Sequence, residues 1–578
     1  MKMHKAFAAA LAVLLVAATT NTVRANAVVI IINNDGPNEG FNDPTPRAPI
    51  GGNTGTTLGQ QRLIAFQYAA DKWGDTLDSP VPIIVRANFD PLTCTATGAT
   101  LGAAGSPFIF ANFPQAGLSP GPVGPNLWHG SAIADKRAGG DLNPGVRDIT
   151  ATFNSLLNGN PACLGGRGWY LGLDANHGTD IDLVAVLLHE FGHGMGFQQF
   201  ANVSTGARPA LPGTDGWDDI YNVHIFDNTQ QKYWPQMTNA ERAASSINPR
   251  NVVFDGPEVG AAVPSVLAPG TPLLTVASPA SIAGIYQVGT AQFGAPLSSP
   301  GVSGQIVAGL DAANAAGPSS TDACTALTNG AAVAGKIALV DRGTCGFGVK
   351  AVNVQNAGAI TMIVANNVAG GPPGGMAGVD PNVTIPSILI SLADANAIKA
   401  ALAGGVTGTL GVNLAVLSGA DAHGFALLYT PNPVAPGSTI SHWDTIAFPN
   451  QLMEPAINGD LTHSLKPPQD LTLPLLRDVG WFPDTDVDGL ANDLDACPAS
   501  SFETTVTIDG ESTGVANVLF TSGCTISDLI NNVAGAASNH GQFVSQMNVL
   551  LKALEDAGII TKADSKRMHD LTAHANIP

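Results

Sequence analysis

The residues best suited to do chemistry occupy positions 189–193, which read His-Glu-Phe-Gly-His. Residues four apart share one face of a helix, so the imidazoles of His189 and His193 can reach the same metal ion. Zinc is the metal that this spacing indicates, because imidazole nitrogen is one of its usual ligands. Glu190 lies beside the first histidine and can take a proton from a water molecule held by the metal. The pattern predicts a zinc hydrolase site with Glu190 as general base.

A buried helix must carry these residues. Positions 183–188 are all apolar and typical of a core helix, with Thr179 or Asp180 as the expected N-cap. Gly194 and Gly196 are expected to end the helix and turn the chain back. The alternative is a core helix with two hydrogen-bonded histidines and no metal. The apolar run, the glycines and the signs of export described below disfavour that alternative.

The run HEFGHGMGF at 189–197 resembles the first part of the metzincin motif, HExxHxxGxxH. The third histidine of that motif would fall at position 199, where this chain has Gln199. Catalytic zinc normally takes three protein ligands and leaves a fourth position to water. The third ligand is therefore expected from another part of the chain.

A second segment carries the features that the first one lacks. The sequence reads SHWD at 441–444 and LMEP at 452–455. This order resembles the leishmanolysin-like branch of the metzincins, in which the stretch before the third histidine is expanded and a Met-turn follows that histidine. The resemblance implies that His442 is the third zinc ligand and that Met453 is the Met-turn residue beneath the metal. It also implies a helix after the Met-turn, over 470–478.

Other assignments of the third ligand stay open. His463 is close in sequence, but it follows the expected Met-turn, which is the wrong order for this family. Glu241 could serve as a carboxylate ligand, although its spacing is poor. A site with no third protein ligand is also possible. Asp444 could orient one of the ligands, and the alternative for it is an ordinary surface acid.

The start of the chain has the pattern of a secretory signal peptide. Lys2 and Lys5 precede an apolar run at 6–18, and Ala-Asn-Ala follows at 25–27. Small residues in that arrangement predict cleavage after Ala27. The apolar run is too short for a membrane span, and no later stretch reaches the required length. We therefore expect a soluble, exported protein.

Charge and cysteine content agree with export. The formal net charge is −20 at pH 7, which disfavours nucleic acid and anionic membranes as partners. The 66 glycines and 41 prolines indicate a loop-rich protein. Six cysteines suit an oxidising destination. The order of the domains predicts three local pairs: Cys94 with Cys163, Cys324 with Cys345, and Cys497 with Cys524.

The stretch 256–417 differs in composition from its surroundings and is rich in Ala, Gly, Val and Pro. Within it, 335–365 predicts a strand, a helix and a second strand, and another strand is expected within 383–390. These features resemble a protease-associated (PA) domain, which implies a module that binds a substrate or partner and has no chemistry of its own. Asp341 and Arg342 are interpreted as a structural turn pair. Inserted at this point, the module would separate His442 from the first two histidines.

The segment 483–500 has acids at alternating positions before a glycine, an arrangement that directs oxygen atoms at a hard cation. It resembles a thrombospondin type 3 calcium repeat, with Asn492 where that repeat often has an acid. A solvated acidic linker is the alternative. The calcium ligands implied are Asp484, Asp486, Asp488, Asn492 and Asp495.

These features predict an α+β multidomain protein, with a metzincin-like zinc protease domain interrupted by a PA-like β/α domain and followed by a calcium loop and a small, partly helical domain. The predicted divisions are a signal peptide at 1–27, the metallopeptidase domain at 28–255 and 418–482, the insert at 256–417, the calcium repeat at 483–500 and the C-terminal domain at 501–578.

The predicted function is that of a secreted zinc metalloendopeptidase acting on protein or peptide substrates, with Zn²⁺ and Ca²⁺ as its metals. One alternative is a non-catalytic secreted protein that binds calcium and other proteins on a protease scaffold. The intact Glu190 disfavours it, since a retired site could lose that carboxylate. The other alternative is zinc-dependent hydrolysis of a non-peptide amide.

Overall fold

A computed structural model of the 578-residue chain describes residues 26–96, 98–113, 126–371, 374–376, 380–482, 486, 492 and 494–577. The predicted signal peptide lies outside the described residues up to position 25, and so do Asp484 and Asp488 of the predicted calcium loop. Within the described ranges, no helix is both long and apolar enough to cross a membrane.

Ala27, after which cleavage was expected, belongs to the folded part of the chain. Its side chain is buried, and its N–H group donates to the carbonyls of Gly74 and Leu77, each at 3.1 Å. Cleavage after Ala27 would remove these hydrogen bonds, whereas cleavage before Asn26 would keep them.

The part of the chain before the insert consists of short strands and helices. Its strands are β1 (Val29–Asn33), β2 (Ile83–Asp90), β3 (Gly102–Gly105), β4 (Ile109–Phe110), β5 (His129–Gly130), β6 (Ile149–Asn154), β7 (Trp169–Tyr170), β8 (Ile181–Asp182), β9 (Ile225–Asp227), β10 (Lys232–Tyr233) and β11 (Val252–Phe254). Its helices are α1 (Leu58–Gly74), α2 (Ser131–Ala138), α3 (Leu183–Met195), α4 (Asn239–Ser245) and α5 (Pro257–Val266).

One mixed sheet supports helix α3. Its strand order is β1-β2-β6-β3, with β1, β2 and β6 parallel and β3 antiparallel at the edge. Every second side chain of β2 is buried, the pattern of a strand with one face on the core. On that face the ring of Phe66 in α1 lies 5.0 Å from that of Phe153 in β6 and 6.0 Å from that of Phe191 in α3. Helices α1 and α3 thus share one apolar core with the sheet.

Helix α3 begins and ends for reasons that differ in part from the sequence prediction. Its N-cap is Asp182, not Thr179 or Asp180, and the Asp182 carboxylate accepts the Val184 N–H at 2.9 Å. Gly196 ends the helix as expected, with φ +128°. Gly194 lies inside the helix, where a Cβ would meet the Ile149 side chain at 2.5 Å. Its role is close packing on β6 and not termination.

The inserted domain contains one large sheet with helices. Its strands are β12 (Pro269–Ser278), β13 (Gly284–Gln287), β14 (Gly289–Thr290), β15 (Val302–Ala308), β16 (Ile337–Asp341), β17 (Thr361–Ala365), β18 (Ser387–Ile390) and β19 (Val406–Leu417). Its helices are α6 (Gly330–Val333), α7 (Phe347–Asn356) and α8 (Leu392–Ala401). The strand order is β13-β12-β19-β15-β16-β17-β18-β14, and β15 to β18 run parallel.

Alternate residues of β16 face opposite sides of this sheet. Ile337 and Leu339 pack in one apolar cluster with residues of α8, whereas Ala338 and Val340 pack in another with residues of α7. A strand buried on both faces reads as a continuous apolar run, as the sequence does here. The predicted strand–helix–strand unit corresponds to β16, α7 and β17.

The insert begins later than position 256. Helix α5 packs in the core of the first part of the chain, where Val259 and Val263 are fully buried. Its N-terminus is capped from beyond the insert, because the Asp478 carboxylate accepts the N–H groups of Glu258 at 2.9 Å and Val259 at 3.0 Å. The helix therefore belongs with the segments on either side of the insert.

The chain enters and leaves the insert through paired strands, since Pro269 lies opposite Leu417 in an antiparallel ladder. After the insert, β20 (Ala426–Leu427) and α9 (Thr472–Asp478) return to the first core. Trp443 and Trp481 are buried there, and the Trp481 indole N–H donates to the carbonyl of Met195 at the end of α3. Two stretches of sequence thus build one core.

The C-terminal region has its own small core. It consists of β21 (Thr505–Ile508), β22 (Glu511–Ala516), α10 (Ile526–Ala536), α11 (His540–Asp556) and α12 (Lys562–His574). The protein as a whole is a mixed α/β multidomain molecule. Its disulfides are the three expected local pairs, Cys94–Cys163, Cys324–Cys345 and Cys497–Cys524.

A buried pair of carboxyl groups beside the first sheet makes stability depend on pH. Asp148 accepts the Ile84 N–H at 2.8 Å, and Asp135 accepts the Leu142 N–H at 2.9 Å. Burial raises the pKa of Asp135 to about 7, and it also raises the pKa of Asp148. An unfolded Asp titrates near about 3.9, so between about pH 4 and 7 the folded protein binds more protons than the unfolded one.

We expect the melting temperature to fall as pH rises from 4 to 8. Over this range the buried Asp135 and Asp148 carboxyl groups must give up their protons, and the stability that comes from their protonated form is lost. Asp135→Asn should reduce this fall, since the amide stays neutral. Thermal unfolding at pH 4, 6 and 8 measures the effect, and Asp141→Asn, at an exposed neighbour, is the control. An undiminished fall in Asp135→Asn would show that other groups cause it.

Candidate metal centre

Three buried histidines converge at one point of the core. His189 and His193 lie on α3, and His442 lies in the segment after the insert. The Nε2 atom of His189 is 3.2 Å from the Nε2 atoms of both His193 and His442. The structure thus brings together all three histidines singled out in the sequence, across a separation of 253 residues.

Each imidazole is oriented by a backbone carbonyl. The Nδ1–H group donates to that carbonyl, so the tautomer leaves the Nε2 lone pair pointing into the cluster. The acceptors are Leu452 for His189 at 2.7 Å, Phe197 for His193 at 2.8 Å, and Ser438 for His442 at 2.9 Å. Nothing in the sequence marks these partners, because any residue type can offer a backbone carbonyl.

Burial keeps the three histidines neutral. It lowers the pKa of His189 to about 3 and that of His193 to about 4, and it lowers the pKa of His442 well below the usual range. Neutral imidazole is the form that binds a metal. The cluster is therefore in its ligating form at neutral pH.

The geometry of the cluster fits zinc. Three lone pairs that face one another cannot form hydrogen bonds among themselves, so a cation is the natural partner. Tetrahedral zinc with Zn–N bonds of about 2.0–2.1 Å separates its ligand nitrogens by roughly 3.3 Å, close to the 3.2 Å found here. Among the described residues, this trio is the one group of three His, Cys, Asp or Glu side chains placed to hold an ion.

Met453 lies directly beneath helix α3. It is fully buried, and a Cβ on Gly192 would be only 2.7 Å from its Sδ. The Met453 carbonyl accepts the N–H of Trp443 at 2.9 Å. Trp443 directly follows His442 in the sequence. Met453 therefore ties the turn at 451–454 to both histidine-bearing segments.

A buried carboxylate fixes the turn that holds His189. Asp470 accepts the N–H of Leu452 at 2.6 Å, and the carbonyl of Leu452 accepts Nδ1–H from His189. Asp470 was not among the predicted site residues. It lies within the helix expected over 470–478, but α9 begins at Thr472 with Leu471 as its N-cap, and Asp470 also accepts the Thr472 N–H at 2.7 Å.

Glu190 faces a cleft beside the cluster. Burial raises the pKa of Glu190 to about 8, and the Ala104 N–H, which hydrogen bonds to the carboxylate, partly opposes that rise. The cleft has a volume of about 560 Å³, and its walls come mainly from 98–104, 436–438 and 454–457. Edge strand β3 therefore forms one wall and also fixes the position of the Glu190 carboxylate.

Gly102 allows that close approach. A Cβ at this position would lie 2.9 Å from Oε1 of Glu190 and 3.0 Å from its Cγ. Gly102→Ala should push the carboxylate away and lower kcat about 100-fold, as a displacement of about 1 Å can do, while zinc content stays unchanged. Steady-state kinetics and metal analysis test this. The control is Gly98→Ala in the same wall, where the nearest atom to a Cβ is 3.8 Å away.

The other candidates for the third ligand have different partners. His463 pairs with Asp182 at 2.8 Å and so connects the segment after the turn at 451–454 to the N-cap of α3. Glu241 pairs with Lys232 and belongs to the capping box of α4. Neither lies in the cluster.

Asp444 does not orient a histidine ligand in the way expected. Its carboxylate accepts the Ile446 N–H at 3.1 Å and lies 3.8 Å from the Nε of buried Arg250. The hydrogen bonds from the ring Nδ1–H groups, expected for Asp444, go to backbone carbonyls instead.

The predicted calcium loop belongs only in part to the described residues. Asp486 accepts the Ser500 N–H at 2.6 Å, and Asp495 accepts the Cys497 N–H at 2.7 Å. Both bonds lie within the predicted repeat, and the first joins its start to its end. Asn492 also belongs to the described residues.

Comparison with known proteins identifies part of the chain. The PA domain family matches residues 302–398. Vacuolar-sorting receptor 2 of Arabidopsis thaliana is 36% identical over 140 residues, covering 23% of this chain and 22% of that protein. Minor extracellular protease Vpr of Bacillus subtilis (strain 168) is 40% identical over 75 residues, or 13% and 9% of the two chains. This chain thus spans less than a quarter of these relatives.

Among solved structures, an aminopeptidase from Aneurinibacillus sp. strain AM-1 is 24% identical with a TM-score of 0.19, over 25% of this chain and 31% of that one. The family match agrees with the strand–helix–strand pattern predicted within the insert. Residues 302–398 are a PA domain.

Proposed function

We propose that this protein is a secreted zinc-dependent peptidase. One observation carries the proposal: three neutral histidines direct their Nε2 lone pairs to one point beside Glu190 in an open cleft. A fold that needed only a core would not leave three buried acceptors facing one another. The similarity of a short stretch to a protease and the presence of a PA domain are consistent with this function.

The contacts indicate which role each residue would have in hydrolysis. His189, His193 and His442 would hold zinc, which supplies a Lewis acid that activates water and polarises the scissile carbonyl. Glu190 would take the proton of the attacking water and deliver it to the leaving amine. The Ala104 N–H and the absence of a side chain at Gly102 keep its carboxylate in place.

Strand β3 supports the choice of an endopeptidase. It is the edge of its sheet and forms a wall of the cleft, so an extended peptide could pair with its outer side. Pairing along a strand holds residues on both sides of the scissile bond. We therefore propose cleavage within polypeptides, in an arrangement like that of the leishmanolysin-like metzincins.

The remaining parts of the proposal concern location and accessory modules. The predicted signal peptide and three disulfides support secretion. The PA domain would bind a substrate or partner. Asp484, Asp486, Asp488, Asn492 and Asp495 would bind calcium, as the alternation of acids in the sequence suggests.

Metal content together with two substrates tests the proposed function. The purified protein should contain about one zinc per chain, lose casein hydrolysis on chelation and regain it with zinc. It should cleave casein but not single-residue aminoacyl anilides. Cleavage of the anilides alone would indicate an aminopeptidase. Zinc binding with no hydrolysis would favour the non-catalytic binding protein, and no zinc would overturn the proposal.

A further inference from the structure

Arg250 lies buried between the inserted domain and the segment that carries His442. Its Nη2–H group donates to the carbonyl of Val288 at 2.9 Å, and its Nε lies 3.8 Å from Oδ1 of Asp444. Val288 is part of the insert, between β13 and β14. Asp444 follows His442 by two residues, so one side chain connects the insert to the third histidine.

The ion pair is well placed to fix the backbone around His442. Both side chains are only 7% exposed, and a buried charge that loses its partner is costly. The same backbone is held on its other side, where the His442 carbonyl accepts the Tyr429 N–H at 2.8 Å and the Asp444 N–H donates to Leu427 at 2.9 Å. Arg250 itself has φ +59°, an unfavourable conformation that its surroundings must maintain.

A second contact of the insert reaches the loop that orients the His442 ring. The Gly371 N–H donates to the carbonyl of Asn432 at 3.2 Å. A Cβ on Gly370 would lie 2.0 Å from that same carbonyl oxygen, so the insert presses closely on the loop here. The loop continues to Ser438, whose carbonyl accepts Nδ1–H of His442.

A third contact reaches the turn beneath the metal centre. Gln292 of the insert donates its side-chain amide to Asn458 at 3.1 Å, and Asn458 donates to Glu454 at 3.2 Å. Glu454 accepts the Gln451 N–H at 2.7 Å and thereby closes the turn that contains Met453. The insert thus supports both segments that complete the site after α3.

We propose that the inserted domain positions the third histidine, with Arg250 as the positioning residue that transmits this support. The insert is then part of the metal centre's framework as well as a binding module. This inference rests on the proposed zinc site. It predicts that zinc affinity depends on a contact with the insert that touches neither the metal nor the substrate.

Arg250→Met tests the proposal through metal binding rather than activity. Zinc affinity, measured by chelator competition, should fall about 10- to 100-fold, as for the loss of other supporting groups. The visible absorption bands of the cobalt-substituted protein should shift, because the coordination geometry changes. Arg250→Lys keeps the charge and should restore part of the affinity. Arg342→Met, at an exposed arginine of the insert, is the matched control and should behave like the wild type.

Arg250→Met leaves Asp444 without its charged partner and could impair folding. The double variant Arg250→Met/Asp444→Asn removes both charges and separates the two effects. If it folds, its zinc affinity should still be reduced, because the tie to Val288 is gone. Wild-type affinity and an unchanged cobalt spectrum in the folded double variant would overturn the inference. Failure of the wild type to bind zinc would instead overturn the proposed function.

Discussion

Replacing Glu190 with glutamine is expected to lower kcat/KM by about 10²- to 10⁴-fold, the usual contribution of a general base. The amide has nearly the same size and can still accept the Ala104 N–H, but it cannot take a proton from water. The three histidines are untouched, so zinc should remain at wild-type stoichiometry. Casein hydrolysis and metal analysis of the same preparation measure both outcomes.

Stability gives an independent check on Glu190→Gln. Without a metal ion, burial raises the pKa of Glu190 to about 8, so in the metal-free protein its surroundings favour a neutral side chain. The metal-free variant should therefore melt no earlier than the metal-free wild type. Undiminished hydrolysis would remove Glu190 from the mechanism, and loss of zinc would show that its role is structural.

Replacing His442 with alanine is expected to abolish stable zinc binding. Two histidines from α3 would remain, and the loss should exceed the 10- to 100-fold that removal of a supporting group costs. Zinc raises the melting temperature of a protein that binds it only when folded. That rise should disappear in His442→Ala, and comparing each variant with its own metal-free form cancels the cost of the cavity left by the imidazole.

Two other histidine variants make the His442 result specific. His423→Ala alters an exposed side chain in the same part of the chain and should bind zinc normally. His463→Ala should melt earlier, because Asp182 loses its partner, yet keep its zinc. If His442→Ala retained full zinc and His463→Ala did not, the assignment of the third ligand would be wrong.

Local spacing made half of the site predictable. His189, Glu190 and His193 lie on one helical turn, and the i, i+4 geometry of an α-helix places the imidazoles together whatever the rest of the fold does. His442 could be proposed only through the resemblance of its surroundings to a known order of motifs. Its proximity to α3 depends on the core that Trp443 and Trp481 share with that helix.

The supporting contacts could not be predicted, for a physical reason. Leu452, Phe197 and Ser438 act through backbone carbonyls, which leave no trace in residue type. Asp444 was predicted to orient a histidine ligand, but backbone carbonyls do so instead. Its actual partner, Arg250, lies almost 200 residues earlier in the chain. Side-chain identity alone does not encode pairings across such distances.

The predicted start of the insert was wrong because a side chain distant in sequence determines where it lies. The composition change near 256 suggested the start of the insert, but Asp478 caps α5 and draws it into the first core. The N-cap of α3 was misplaced by two residues or more because three acids and hydroxyls compete in that stretch. The interior of the insert was easier, since the continuous apolar run of β16 is typical of a strand buried on both faces.

The division of the core by the insert has a consequence for biosynthesis. His189 depends on the carbonyl of Leu452, 263 residues downstream, and contacts of such separation form late in folding. A nascent chain emerges N-terminus first, so α3 must wait for the segment through Trp481 before its core can close. A zinc site of the proposed kind would therefore be complete only after most of the chain has been synthesised.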